Sequence, residues 1–275
     1  MEPSASVLEA FGGDVDRVER LAGGEGRSWR AGQVVLKPDQ DAAVVAWTAD
    51  FVDRVEPADG FRLATPVTAR DGKWIVDGWA ATEWVQGAHL SGAWDRVLQV
   101  SAKFHAAAAK TAIGPTKLLT SRRDPWAVGD RVAWRDEERH GDWPAVVTDV
   151  LDRLGPLLEL SPPTAPAQVI HGDLGGNVLF ADEDGLPPAV IDIAPYYRPA
   201  AWADAIVVAD AVAWDGAPAT LAVGFLARHA DGDQLLARAI AFRVAAAAGL
   251  WSRFPARVEA EVHAYRALLP LLRGT

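Results

Sequence analysis

The sequence predicts an α+β chain in two parts: a small β-rich part with one helix, then a larger, mostly helical part that carries one small hairpin. Three observations predict it. Residues 14–85 alternate short apolar runs with turn signals, and after "QGAHL" the apolar residues recur at helical spacing. The only β-like island of the second half lies at 167–193. A protein built on an alternating strand–helix sheet would interleave these textures along the whole chain.

Taken in order, "QVVLKP" is a strand ended by Pro38. "DAAVVAWTADFVDRV" is a helix, because Val44, Trp47, Phe51 and Val55 recur at helical spacing. "LATPVTARDGKWIVDGWAATEWV" reads as two strands joined at Asp71-Gly72, a strong hairpin signal. A short linker near 83–88 divides an N-terminal lobe, 1–86, from a C-terminal lobe, 87–275. In the second lobe "WDRVLQVSAKFHAAAAK" is one helix and 124–155 holds helical pieces. Residues 200–214, 218–230, 233–253 and 256–272 read as further helices.

The 275 residues carry a net charge of −10 and no cysteine. Disulfides, thiolate zinc sites and cysteine nucleophiles are excluded. An acidic balance argues against a nucleic-acid partner. No basic, apolar leader opens the sequence, and the longest apolar run, "AWADAIVVADAVAW", is broken by Asp204 and Asp210. The expectation is a cytoplasmic protein with no membrane partner, monomeric by default.

The densest chemistry lies in "VIHGDLGGNVLF", where His171, Asp173 and Asn177 sit on a glycine-rich turn. "NVLF" and "AVIDI" are short apolar runs separated by Asp184-Gly185. A turn centred on that dipeptide sets Asn177 opposite Asp192, at cross-strand distance. An amide oxygen and a carboxylate converging there are hard donors of the kind that hold Mg²⁺. A register slip by one would turn Asp192 to the other face. Asp173, just before Asn177, is placed to orient a hydroxyl. Positioning and charge neutralisation are what phosphoryl transfer requires.

In "LAGGEGRSWRAGQVVLKP", Gly23, Gly24 and Gly26 form a turn between strands and Lys37 ends the next one. Such a turn can lay backbone N–H groups against phosphates while the lysine clamps them. It is not a Walker A loop, which needs Gly-Lys-Ser/Thr directly before a helix.

Together these motifs resemble the aminoglycoside-phosphotransferase-like small-molecule kinases, relatives of choline and homoserine kinases on the protein-kinase fold. The resemblance follows the order glycine loop, strand lysine, helix, linker, "KFHAAAA", "HGDLGGN" and "VID". It implies a two-lobe fold, ATP and Mg²⁺ as cofactors, and a small-molecule hydroxyl acceptor. It implies Asp173 as the catalytic aspartate, braced by His171, with Asn177 and Asp192 on the metal and Lys37 on the phosphates. It sets the adenine against the linker, with Thr82 behind it and the Glu83 C=O and Val85 N–H as partners. It makes Asp204 the anchor of the catalytic loop.

Three features depart from the family pattern. Only Leu174, Gly175 and Gly176 separate Asp173 from Asn177, where the family has four residues. Glycines there are expected to supply the unusual dihedrals of a tighter loop. The segment after Lys37 holds Asp39, Asp41, Asp50 and Asp53, but not the glutamate that pairs with the family lysine. "IDIAPYYRPAAWAD" replaces a glycine-aspartate-proline stretch. This marks a divergent branch.

Tyr197 and Arg198, on an expected loop beside Asp192, are the acceptor-binding candidates. Trp126, Trp134, Trp143, Tyr196, Trp202 and Trp251 are either acceptor walls or packing. The function expected is an ATP- and Mg²⁺-dependent small-molecule kinase. The alternative is a nucleotide-binding pseudokinase without transfer. A metal-dependent hydrolase ranks last, because the remaining histidines lack ligand spacing.

Overall fold

The structure is a computed structural model that describes residues 1–22, 26–56, 60–139 and 142–273. The chain forms two compact units. The first comprises Met1–Leu90, Lys103–Ile113 and Gly176–Pro195, and the second comprises Ser91–Ala102, Gly114–Gly175 and Tyr196–Thr275. The sequence suggests a single cut after residue 86. The later hairpin instead belongs with the first unit, because its strand Leu186–Val190 pairs in parallel with Arg62–Leu63.

The first unit holds a five-stranded antiparallel sheet in the order Val18–Arg20, Trp29–Ala31, Val34–Pro38, Trp79–Glu83, Pro66–Val67. Val34, Leu36, Trp79 and Ala81 bury one face against Val7, Leu8 and Phe11, from the N-terminal segment that includes helix Ala5–Ala10. The helix after Lys37 runs Ala42–Arg54, with Asp41 as its N-cap accepting from the Ala43 and Val44 N–H groups. Its Phe51 packs edge-on to Phe104, which also meets Phe61. The hairpin expected at Asp71-Gly72 has a second turn at Asp77-Gly78. Both residues have positive φ (47° and 82°) and close the Val76–Trp79 bridge, so the return strand starts at Trp79.

The second unit is built around helix Gly232–Ala248, buried on nearly every side. Helices Pro125–Ala133, Ala145–Leu158, Ala200–Trp214 and Pro255–Arg266 pack on it. Gly129 permits the closest approach, since a Cβ there would lie 2.5 Å from the Phe242 carbonyl oxygen. Arg238 crosses this core to donate to the Ala133 and Leu158 carbonyls, the last residues of two of these helices. A cation at two helix C-termini satisfies carbonyls that the helices leave unpaired. Trp202 sits among Trp134, Tyr196 and Phe242 in edge-to-face contact, so Trp134, Tyr196 and Trp202 are packing residues. Among the described residues no helix is long and apolar enough to cross a membrane.

Candidate active site

In the first unit, Lys37 lies on the central strand Val34–Pro38, opposite Ala80. Its ammonium donates to Asp192, 155 residues later, and both side chains are largely sheltered from water. None of the four aspartates near the following helix takes that role. Asp39 pairs with Arg27, Asp41 caps the helix, Asp50 pairs with Arg54, and Asp53 is exposed.

The hairpin register differs from expectation. Val178 pairs with Val190 and Leu179 with Ala189, then a bulge precedes Ala181–Leu186. The connection is a 3₁₀ turn over Asp182–Asp184 closed by Gly185 at φ 65°, longer than a two-residue turn on Asp184-Gly185. Pro187 and Pro188 fall in the irregular stretch, where no N–H is demanded of them. Asn177 therefore stands against Ile191, whose N–H donates to the Asn177 carbonyl at 3.0 Å, and not against Asp192. Asp192 escapes the consequence of the slip. Its φ of 52° takes it out of strand alternation, so the pleat no longer dictates its direction. Its carboxylate and the Asn177 amide are hard oxygen donors from the two ends of one hairpin, a set that fits Mg²⁺. Among the described residues no group of three or more His, Asp or Glu could hold a metal.

Gly23 and Gly24 lie outside the described residues. Gly26 has φ +62°, and its carbonyl accepts from the Arg20 side chain. Thr82 and Glu83 end the strand beside Lys37, opposite Val35 and Val34. The Glu83 and Trp84 N–H groups donate to Thr65 and Gln33 at 2.8 Å. Among the described residues no acceptor takes the half-buried Val85 N–H.

In the second unit, His171 ends strand Ala167–His171 and is fully buried. Its Nδ1 accepts from the Asp173 N–H at 3.1 Å, which assigns the proton of the neutral ring to Nε2. Gly172 lies beneath Tyr196: a Cβ would come within 2.5 Å of the ring. Asp173, 46% exposed, receives a 2.6 Å hydrogen bond from Arg243 Nη2. The Arg243 guanidinium also grips Asp210, which accepts from the Tyr265 hydroxyl at 2.7 Å. Burial works against the charge on Arg243, but Asp210 and Asp173 hold its pKa well above the usual value.

Two expectations for this loop fail. Gly175 and Gly176 do not adopt positive φ, and nothing lies within 4 Å of a Cβ at either. The shortened loop turns without left-handed glycines, and the buried Leu174 fixes its middle. Asp204 does not anchor the loop either. It accepts from Ser101 Oγ at 2.5 Å, and burial pushes its carboxyl up to about 6.

Comparisons with known proteins bear on the fold. No family model matches the chain, and no curated protein does. Solved structures do match along its whole length. An aminoglycoside phosphotransferase from Alicyclobacillus acidocaldarius subsp. acidocaldarius is 17% identical, with TM-score 0.57, covering 98% of this chain and 95% of that one. A thermostable mutant of aminoglycoside phosphotransferase APH(4)-Ia in apo form is 18% identical, with TM-score 0.64 and 98% of each chain covered. The chain has the aminoglycoside-phosphotransferase fold. Choline kinase LicA from Streptococcus pneumoniae shares it at 12% identity and TM-score 0.52, with 92% of each chain covered.

Within the aminoglycoside-phosphotransferase fold of this chain, Tyr197 and Arg198 lie on a strand, Pro195–Pro199, and not on a loop. That strand pairs with Ala167–His171. Arg198 donates to Asp130 twice at 2.8 Å and to Asp136 at 2.6 Å, and stacks over Trp134 at 4.8 Å. Its Nε and Nη2 are thus engaged inside the unit. Tyr197 borders a cavity of ≈ 320 Å³ with Leu119, Thr120 and Asp136. The residues that sequence reasoning passed over are Arg243, Asp210 and Tyr265. The signal for Arg243 and Asp210 was present: "AIVVADAVAW" and "AIAFRVAAAA" each carry one charge in an apolar helix, and an apolar surround demands a partner for it.

Proposed function

We propose that the chain is an ATP- and Mg²⁺-dependent phosphotransferase that moves the γ-phosphate to a hydroxyl of a small molecule. The observation that carries this reading is the meeting of Lys37 with Asp192, two residues far apart in sequence that serve the phosphates and the metal in such chemistry. The whole-length likeness in fold supports it. So do the ligands of a neighbour: a ternary complex of APH(4)-Ia (N203A), 17% identical with TM-score 0.63, holds AMP-PNP and hygromycin B.

In this reading the Val85 N–H and the Glu83 carbonyl receive the nucleotide base beside Thr82, and Lys37 holds the phosphates. Asn177 and Asp192 hold Mg²⁺, which when bound neutralises phosphate charge. Asp173 orients the acceptor hydroxyl and takes its proton as the oxygen bonds to the γ-phosphorus and the bond to ADP breaks. His171 braces the turn that carries Asp173. The acceptor is a sugar, an aminoglycoside-like compound or another hydroxylated metabolite. The test is purified protein with Mg²⁺-ATP and a panel of metabolites and antibiotics, read by mass spectrometry for a phosphorylated product. A product is expected with at least one hydroxyl compound; ATP binding without any product contradicts transfer.

The same ion pair favours a second reading. Among the described residues Lys37 meets no helix carboxylate and is held by Asp192, so a nucleotide-binding module without transfer is the alternative. It predicts tight ATP binding and no ADP formation when Mg²⁺ saturates the site.

A further inference from the structure

We propose that Arg243 is the positioning residue for Asp173, itself fixed by Asp210 and Tyr265. The inference rests on the phosphotransfer reading of Asp173. Three helices supply the parts: Arg243 from Gly232–Ala248, Asp210 from Ala200–Trp214 and Tyr265 from Pro255–Arg266. The Tyr265 hydroxyl and Arg243 Nε both donate to Asp210 Oδ1, and Arg243 Nη2 donates to Asp210 Oδ2. That bidentate grip fixes the plane of the guanidinium.

Charge balance separates a structural role from a positioning one. A buried guanidinium needs one carboxylate, and the largely sheltered Asp210 supplies it. The second contact runs to Asp173, a half-exposed carboxylate that water could solvate unaided. Burial does not require it. Its effect is to hold one oxygen of a turn residue in one place, by a charge-assisted bond from a donor that three helices keep still. A carboxylate that must meet a hydroxyl in line for transfer gains most from such restraint. Lysine has no planar fork and would grip Asp210 and Asp173 less well.

The test compares Arg243→Gln, Arg243→Lys and Tyr265→Phe with the unmodified protein. Because Gln leaves Asp210 without its cation, Arg243→Gln with Asp210→Asn is made as well, to keep a folded variant available. Two readouts are taken with Mg²⁺-ATP: nucleotide affinity by calorimetry, and ADP formation with water as acceptor. The expected result is unchanged affinity and a rate about tenfold or more lower for Arg243→Gln, partly restored in Arg243→Lys. In an Asp173→Asn background Arg243→Gln causes no further loss, because Arg243 acts through Asp173. Equal losses in both backgrounds, or no loss in either, overturn the proposal. An unmodified protein that forms no ADP with water or with any compound of the acceptor panel contradicts the phosphotransfer reading instead. The Asp173 amide resonance then decides the inference alone: it shifts or broadens in Arg243→Gln, and an unmoved resonance overturns it.

Discussion

Lys37 and Asp192 form an ion pair that ties the central strand of the five-stranded sheet to the end of the hairpin strand Leu186–Val190. In the proposed function this contact stands in for the helix carboxylate that a phosphate-clamping lysine would otherwise use, and one carboxylate serves both the lysine and Mg²⁺. Lys37→Met is expected to weaken ATP binding about 10- to 100-fold, the value of one charge-assisted hydrogen bond. Asp192→Asn is expected to remove the Mg²⁺ dependence of that affinity. Calorimetry with and without Mg²⁺ checks both; an Asp192→Asn protein that still responds to Mg²⁺ contradicts the assignment.

Two glycines of the same loop should behave oppositely. Gly172→Ala drives a methyl into the Tyr196 ring and is expected to cost about 1–3 kcal/mol. Gly175→Ala meets open space at an ordinary φ and should stay within about 0.5 kcal/mol of the parent. Denaturant melts of the two variants measure the contrast. Equal effects would show that Tyr196 does not press on this loop.

Asp204 makes stability depend on pH in a definite direction. Its folded pKa is about 6, raised by burial from the ordinary aspartate value of 3.8. Between these values the folded chain holds more protons than the unfolded one, so this group's contribution falls as pH rises and the penalty is complete above about 6. Asp204→Asn removes the charge and keeps an oxygen for Ser101. It is expected to stabilise the protein by about 2 kcal/mol near neutral pH, with the difference closing below the unfolded value. Thermal melts of both proteins across pH read the effect, and a pH-independent difference contradicts it.

Arg238 is the most fully buried arginine among the described residues, and burial, then repulsion from Arg198, lowers its pKa to about 10. Arg238→Met strands two helix-terminal carbonyls and is expected to cost about 3 kcal/mol, at roughly 1–3 kcal/mol for each unmet group. Arg238→Lys should recover part of it, as denaturant titration will show.

Much of this was legible in the sequence because it is local. Helical spacing marked Ala42–Arg54 and the helices of the second unit, and the His171–Asn177 turn stood out by residue type. What the sequence hid is set at longer range. The hairpin register depends on a bulge between Leu179 and Ala181, which no dipeptide signals. Strand Pro195–Pro199 exists only because Ala167–His171 pairs with it. The bond from Arg243 to Asp173 spans 70 residues and three packed helices, so no spacing rule reaches it. Asp192 reaches Lys37 through a left-handed backbone that a non-glycine residue rarely adopts.

Asp173→Asn tests the central claim most directly. The substitution keeps an oxygen for Arg243 and removes the group that accepts a proton. With Mg²⁺-ATP and a hydroxyl acceptor identified by mass spectrometry, the account predicts unchanged ATP affinity and transfer reduced at least about 100-fold. Transfer at the parent rate in Asp173→Asn contradicts it.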